Sequence, residues 1–324
     1  MVRYVIKRLL MMIPVMLGVA FLLYGLLSLA TGDAARVKFG DEASEEVLNE
    51  WREEKGLNDP LLVQYGRYVW NIVTEGSLGT SYMTDKPVTE MLMARFPITL
   101  KLAVVGLLVM LVIGVPIGII SAIKQYTWID TILVSVGMLG VSLPNFWVAL
   151  MLIILFSQNL GILPASGVGG ITHWIMPAIA VGIGPSCTMM RTTRSSVLEC
   201  VRQDYVRTAR AKGQKEGAVV MHHVLRNALI PVVTVSGIQF GALMGGAVVI
   251  ESIFSLPGLG KLIVDNIATR DYPIVIGGVL LIAVAFSLVN LAVDILYTVI
   301  DPRIKTQYET KKKKGKPTAK EAAG

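Results

Sequence analysis

Long apolar runs alternating with short polar turns dominate the chain, and one polar insertion interrupts them early. The first run, 9–30, follows Arg3, Lys7 and Arg8 and outruns the roughly 7 to 15 apolar residues of a signal peptide, which predicts a retained first span. Further spans are predicted over 98–123, 129–156, 171–190, 231–253 and 274–300. Each is long enough to cross a bilayer core, where only a helix satisfies its own backbone. The expected fold is therefore an all-α polytopic membrane protein with six transmembrane helices, a helical external insertion after the first and a cytoplasmic helix between the fourth and fifth.

The polar insertion covers 31–96. Val47, Leu48 and Trp51 fall on one face of a helix predicted over 42–55 that stops at Gly56. Asp59 is expected to cap a second helix with Pro60 in its first turn, and Leu61, Leu62, Tyr65, Tyr68, Val69 and Ile72 repeat at helical spacing. The stretch GSLGTS at 76–81 breaks this pattern, and a short helix is expected over 87–95. Within the spans, Gly114 and Gly118 allow close helix approach, while Pro116 and Pro144 are candidate kinks. The loop 157–170 carries no Lys or Arg and is expected outside, whereas 191–226 is rich in both, which marks the cytoplasmic side. Six spans then place both termini in the cytoplasm. The resulting units are 1–30, the external cap 31–96, a core 97–300 containing the loop 191–230, and a basic, disordered cytoplasmic tail 301–324 that rests on anionic lipid.

Composition agrees with a membrane protein: of 324 residues, 53% are hydrophobic and only 16% charged, with a mean hydropathy of +0.62. The net charge of +7 is spread beside the spans rather than gathered in one soluble patch, which argues against nucleic acid as a partner. Cys187 and Cys200 read as small packing residues without a disulfide.

The segment RQDYVRTARAKGQKEGAVVMHHVLRNALIP, 202–231, is a basic island between apolar runs. Asp204 is expected to cap a short helix ending at Lys212, with Gly213 supplying the permissive backbone beyond it. Tyr205 and Thr208 lie within that helix. Arg207, Arg210 and Lys212 surround it with charge, and small Ala209 and Ala211 would bring its backbone close to a receiving surface. It has the form of a knob offered to a partner.

Candidate chemistry elsewhere is sparse. Asn290 and Asp294 share a helix face, and Glu251 ends the fifth span; intramembrane ionisable groups are candidates for a transport pathway. Asp294 has a second reading, as the partner of a basic residue holding helices together. Pro144, Asn145, Gly241 and Gly245 complete the candidate pathway or gate positions. His173, His222 and His223 are dispersed, so no metal site is expected. SLPGLGKL imitates a phosphate-binding loop, but Ser255 stands where a glycine is required and Leu262 where Ser or Thr is required.

The segments DYVRTARAKG, HHVLRNALIPVVT, GAVVIESIFSLPGLGKLIVDNIATRDYPIV and NLAVDILYTVIDPRIK, with NDPLLVQYGRYV, GSLGTSY and PITLKLA, resemble the membrane subunits of dipeptide and oligopeptide ATP-binding-cassette importers. The resemblance spans nearly the whole chain except the acidic stretch 42–54 and the lysine tail, and the large region after the first span resembles the B-type subunit. In that family the loop meeting the ATPase reads Glu-Ala-Ala, three residues, Gly; here Arg207, Thr208 and Ala209 precede Gly213, and only Ala209 and Gly213 keep the pattern. The resemblance implies that 204–213 couples to two ATPase subunits, which carry ATP and magnesium, while this chain binds no cofactor and is not itself an enzyme. It implies a second, C-type permease subunit, an external solute-binding protein and a bacterial inner-membrane location. Nickel or another small solute is the alternative cargo. An ion-coupled secondary transporter is the alternative class, although the repeated halves common in such proteins are not evident.

Overall fold

The computed structural model describes residues 2–29 and 32–300; the predicted tail, 301–324, lies outside the described residues. Helix α1, Val2–Leu29, is about 42 Å long at 1.5 Å per residue, ample for a bilayer core of about 30 Å. Three cap helices follow: α2 (Ala34–Phe39), α3 (Glu45–Glu54) and α4 (Leu61–Glu75). Leu48 and Trp51 of α3 are buried against Ala34 and Ala35, while Val47, expected on the same face, is exposed. Pro60, not Asp59, occupies the cap position of α4. The Asp59 carboxylate instead pairs with Arg67.

The predicted helix at 87–95 and the second span are one element, α5 (Val88–Ile123). Pro97 removes a backbone hydrogen bond, yet Leu92 and Leu102 on either side are fully buried and hold the helix continuous. The opposite happens in the third predicted span. Leu143 adopts an extended conformation before Pro144, as the ring of a following proline demands, and α6 (Trp128–Ser142) bends by 100° into α7 (Asn145–Leu152) and a π-helical extension, Ile153–Asn159.

Helix α8 (Thr172–Val201) continues well past the predicted end of the fourth span at 190. After α9 (Asp204–Ala211) comes α10 (Glu216–Ala218), a π-helical turn Val219–Val224, and α11 (Leu225–Ile253). Helix α12 (Leu259–Ala268) forms in the predicted outer loop, and α13 is Tyr272–Ile300. Among the described residues, four helices are long and apolar enough to cross a membrane, 5–29, 88–123, 216–253 and 272–295, and the bent pair makes a fifth.

Among the described residues the most extensive helix pairing joins α5 to α8. A side chain at Gly114 would start 2.6 Å from the Ser186 carbonyl oxygen, and one at Gly118 2.6 Å from that of Met190. Ser186 donates to Gly182 O and Val109 O, satisfying its hydroxyl inside the apolar pair. The expected close approach at Gly114 and Gly118 is therefore present, with α8 as its partner. At one end of the bundle lie the cap helices; at the other lies the basic segment carrying α9.

Candidate functional site

Helix α9 sits at the basic end with its two faces sharply divided. Val206 and Ala209 are buried in a cluster with Ala122 of α5, Val197 of α8, and Val219, Val220 and Val224. Asp204, Tyr205, Arg207, Thr208, Arg210, Ala211, Lys212 and Gly213 are exposed. Ala209 therefore faces its own bundle, contrary to the expectation that it meets a partner, because a three-residue step from Val206 keeps both on one helix face. Gln203 holds the N-cap position and Asp204 is the first helical residue, so the expected Asp204 cap is corrected; Lys212 is the C-cap. Gly213 has φ +76, the left-handed geometry for which glycine was expected.

The loop is braced from several directions. Arg210 donates Nε and Nη2 to the Glu216 carboxylate at 3.0 and 2.6 Å, and this pairing raises the Arg210 pKa above its ordinary value. Asn227 donates to Tyr205 Oη at 3.1 Å, and Thr208 Oγ1 donates to Asp204 O at 2.9 Å. With Arg210 engaged and Arg207 3.7 Å from Asp204, the exposed face is a mixed, cation-rich surface.

The candidate pathway residues do not converge on one place. Pro144 forms the α6–α7 elbow, and the Asn145 side chain lies between Gly184 of α8 and Gly246 of α11. Gly245 has open space around it and belongs to an exposed stripe of α11 with Thr234, Ile238, Ala242 and Val249. Gly241 is turned inward, where a side chain would collide with the Phe286 ring. Asn290 and Asp294 are at the basic end of α13, lining a groove of about 370 Å³ against α1, and Asp294 meets Arg8 at 2.8 Å, the helix-holding alternative for that carboxylate.

Glu251 is fully buried at the cap end. Its carboxylate accepts from Thr99 Oγ1 at 2.5 Å and from the Lys261 backbone N at 2.9 Å, and Thr99 in turn accepts from Leu259 N at 2.8 Å. The sequence SLPGLGKL, excluded as a nucleotide loop, thus wraps its glycines around a carboxylate of the chain itself: side chains at Gly258 or Gly260 would run into Glu251.

Two further buried carboxylates were not singled out from sequence. Asp271 accepts from Ser81 Oγ and from the backbone N of Tyr82 and Met83, fastening the loop before α5 to the start of α13. Asp130, 5% exposed, receives Arg194 Nε and Nη2 at 2.8 and 2.7 Å, the Ser121 hydroxyl, and the Tyr126 backbone N at 3.2 Å. Their partners lie far away in sequence, apart from the local contacts of Asp130. The one local sign is Asp130 near the start of a predicted span.

Residues 114–306 match the family described as binding-protein-dependent transport system inner membrane component, and residues 1–103 match its N-terminal companion. The chain belongs to this permease family. It is 41% identical to the dipeptide transport system permease protein DppB of Alkalihalophilus pseudofirmus, over 94% of this chain and 100% of that protein. It is 42% identical to the glutathione transport system permease protein GsiC of Salmonella paratyphi A, over 94% of this chain and 99% of that one. The inward-facing MetNI methionine ABC transporter contains a chain of similar fold, with a TM-score of 0.56 at 17% identity, covering 66% of this chain and 97% of that chain.

Proposed function

We propose that this permease is the B-type membrane subunit of a peptide importer and forms half of its transmembrane pathway. The observation that carries the reading is α9: one face is locked into the bundle by Val206 and Ala209, and the other is a charged surface. Such a helix can transmit a push. Peptide cargo is supported by relatives over nearly the full length that are named for dipeptide and glutathione transport, glutathione being itself a tripeptide.

In this reading α8 is also a span, fourth in chain order, and brings the total to six. Its polar positions Ser186 and Thr193 are buried against α5, so its lower apolarity is compatible with an interior place in the bundle. The basic end faces the cytoplasm of a bacterium, with both termini there, and the cap faces outward. Two ATPase subunits bind ATP and magnesium, close, and displace α9 together with its counterpart on a C-type permease; an external binding protein delivers cargo to the cap and α12. The spans then alternate between inward-open and outward-open arrangements. The exposed α11 stripe and the elbow at Pro144 and Asn145 line the pathway.

Gentle purification of the tagged chain tests this assembly. A second permease and two ATPase subunits are expected to accompany it, with ATP hydrolysis rising when peptide-loaded binding protein is added. A chain that purifies alone and supports no ATP-dependent uptake would refute the reading.

A further inference from the structure

The surroundings of Asp130 form a built junction rather than an isolated ion pair. Four groups converge on one buried carboxylate: two guanidinium nitrogens of Arg194 in α8, the Ser121 hydroxyl of α5, and the Tyr126 backbone N in the turn between α5 and α6. Tyr126 itself has φ +64, a backbone cost for a residue with a Cβ, so the turn is held in a conformation that directs its N–H at the carboxylate. Three helices are tied at this point.

The tie extends along α6. A side chain at Gly137 would strike Met190, and one at Gly140 would strike Cys187. With Asp130 on Arg194, these contacts clamp α6 antiparallel to α8 from its start almost to the elbow at Leu143 and Pro144. On the other side, Gly114 and Gly118 press α5 against α8 at Ser186, Met189, Met190 and Thr193. Arg194 and Val197 stand three apart and share a face of α8, and Val197 belongs to the cluster that receives Val206 and Ala209 of α9. The carboxylate therefore lies between the seat of α9 and the elbow.

We propose that Asp130 and Arg194 are positioning residues for energy coupling: they make α5, α6 and the basic-end half of α8 one lever, so that displacement of α9 reaches the elbow beside Asn145 instead of being absorbed in the α5–α6 turn. The proposal rests on the permease reading above. It predicts that loosening the junction separates ATP hydrolysis from transport while the subunits stay assembled.

The experiment uses the complete importer in proteoliposomes, measuring ATP hydrolysed per peptide imported. Asp130→Asn removes the charge, Arg194→Lys keeps the cation but not the fork, and Ser121→Ala removes one donor. Asp130→Asn is expected to raise the ratio by about fivefold or more, the low end of typical coupling between sites, with ATP hydrolysis in the absence of binding protein preserved and Arg194→Lys intermediate. An unchanged ratio in assembled Asp130→Asn importer overturns the proposal. If that variant does not assemble, unchanged ratios in both Arg194→Lys and Ser121→Ala overturn it, and failure of all three to assemble identifies a folding staple and overturns it equally. Wild-type uptake tests the permease reading, and the variant-to-wild-type ratio tests the lever, so the two fail separately.

Discussion

Thr99 of α5 donates its hydroxyl to Glu251 at the end of α11 at 2.5 Å, and the same oxygen accepts from the Leu259 backbone N at 2.8 Å. One small side chain thereby joins two bundle helices to the start of α12, in a place where every participating group is buried. Glu251, a candidate for the pathway from sequence, is in this arrangement a latch for the loop between α11 and α12.

Thr99→Val should leave Glu251 short of a donor and α12 short of an acceptor. Loss of a buried partner costs about 1–3 kcal/mol, so the purified variant is expected to unfold at lower temperature. Thermal unfolding followed by loss of the monodisperse chromatographic peak checks it; an unchanged transition would show that the latch contributes little.

At Gly213 the φ of +76 and the open space where a side chain would begin separate strain from collision. Gly213→Val should weaken stimulation of ATP hydrolysis by loaded binding protein, through strain of about 1–2 kcal/mol at the end of α9. Gly213→Asn, which tolerates this geometry better, should retain more stimulation than the valine variant. Equal loss in both would point to side-chain bulk rather than backbone conformation.

Gly118→Ala and Gly18→Ala form a matched pair. A methyl at Gly118 meets the Met190 carbonyl at 2.6 Å and Thr193 Cβ at 2.7 Å, whereas Gly18 has nothing within 4 Å. Overpacking at 118 should cost about 1–3 kcal/mol, and the change at 18 should be close to neutral; thermal unfolding of the two variants reads the difference.

The cap carries an acid-sensitive joint. Arg52 hydrogen-bonds Asp33 and, despite an opposing contribution from burial, holds its carboxyl below the usual range. A depressed folded-state pKa contributes stability above the unfolded carboxylate value and loses it as pH falls through the folded value. Arg52→Gln should therefore move the acid-induced change in the cap to higher pH. The fluorescence component removed by Trp51→Phe reports it, since Trp51 is buried in the same cluster as Ala34 and Ala35; an unshifted midpoint would count against the joint.

Much of the fold was legible because it depends on short-range pattern. Apolar runs give α1, α5, α11 and α13; Gly213 marks the end of α9; Gly114 and Gly118 announce a close helix contact. The elbow was only half visible, since Pro144 signals an interruption but its 100° size depends on how α7 packs against α8 and α11. The length of α8 was missed because its polar residues mimic the end of a span: Arg194 looks like a charge at the membrane surface until Asp130 is placed opposite it. Asp271 and Gly241 teach the same lesson, their roles being set by Ser81 and Phe286, which no local spacing identifies. For α9 the sequence showed the helix and its charge, yet not that Ala209 faces inward against Val197 and Val219.

The most direct test of the importer mechanism is peptide uptake into proteoliposomes holding the complete importer, with loaded binding protein on the cap side and ATP on the α9 side. The expected result is accumulation that requires ATP and binding protein together and persists when ion gradients are dissipated. Accumulation that continues without ATP and vanishes with the ion gradient would contradict it.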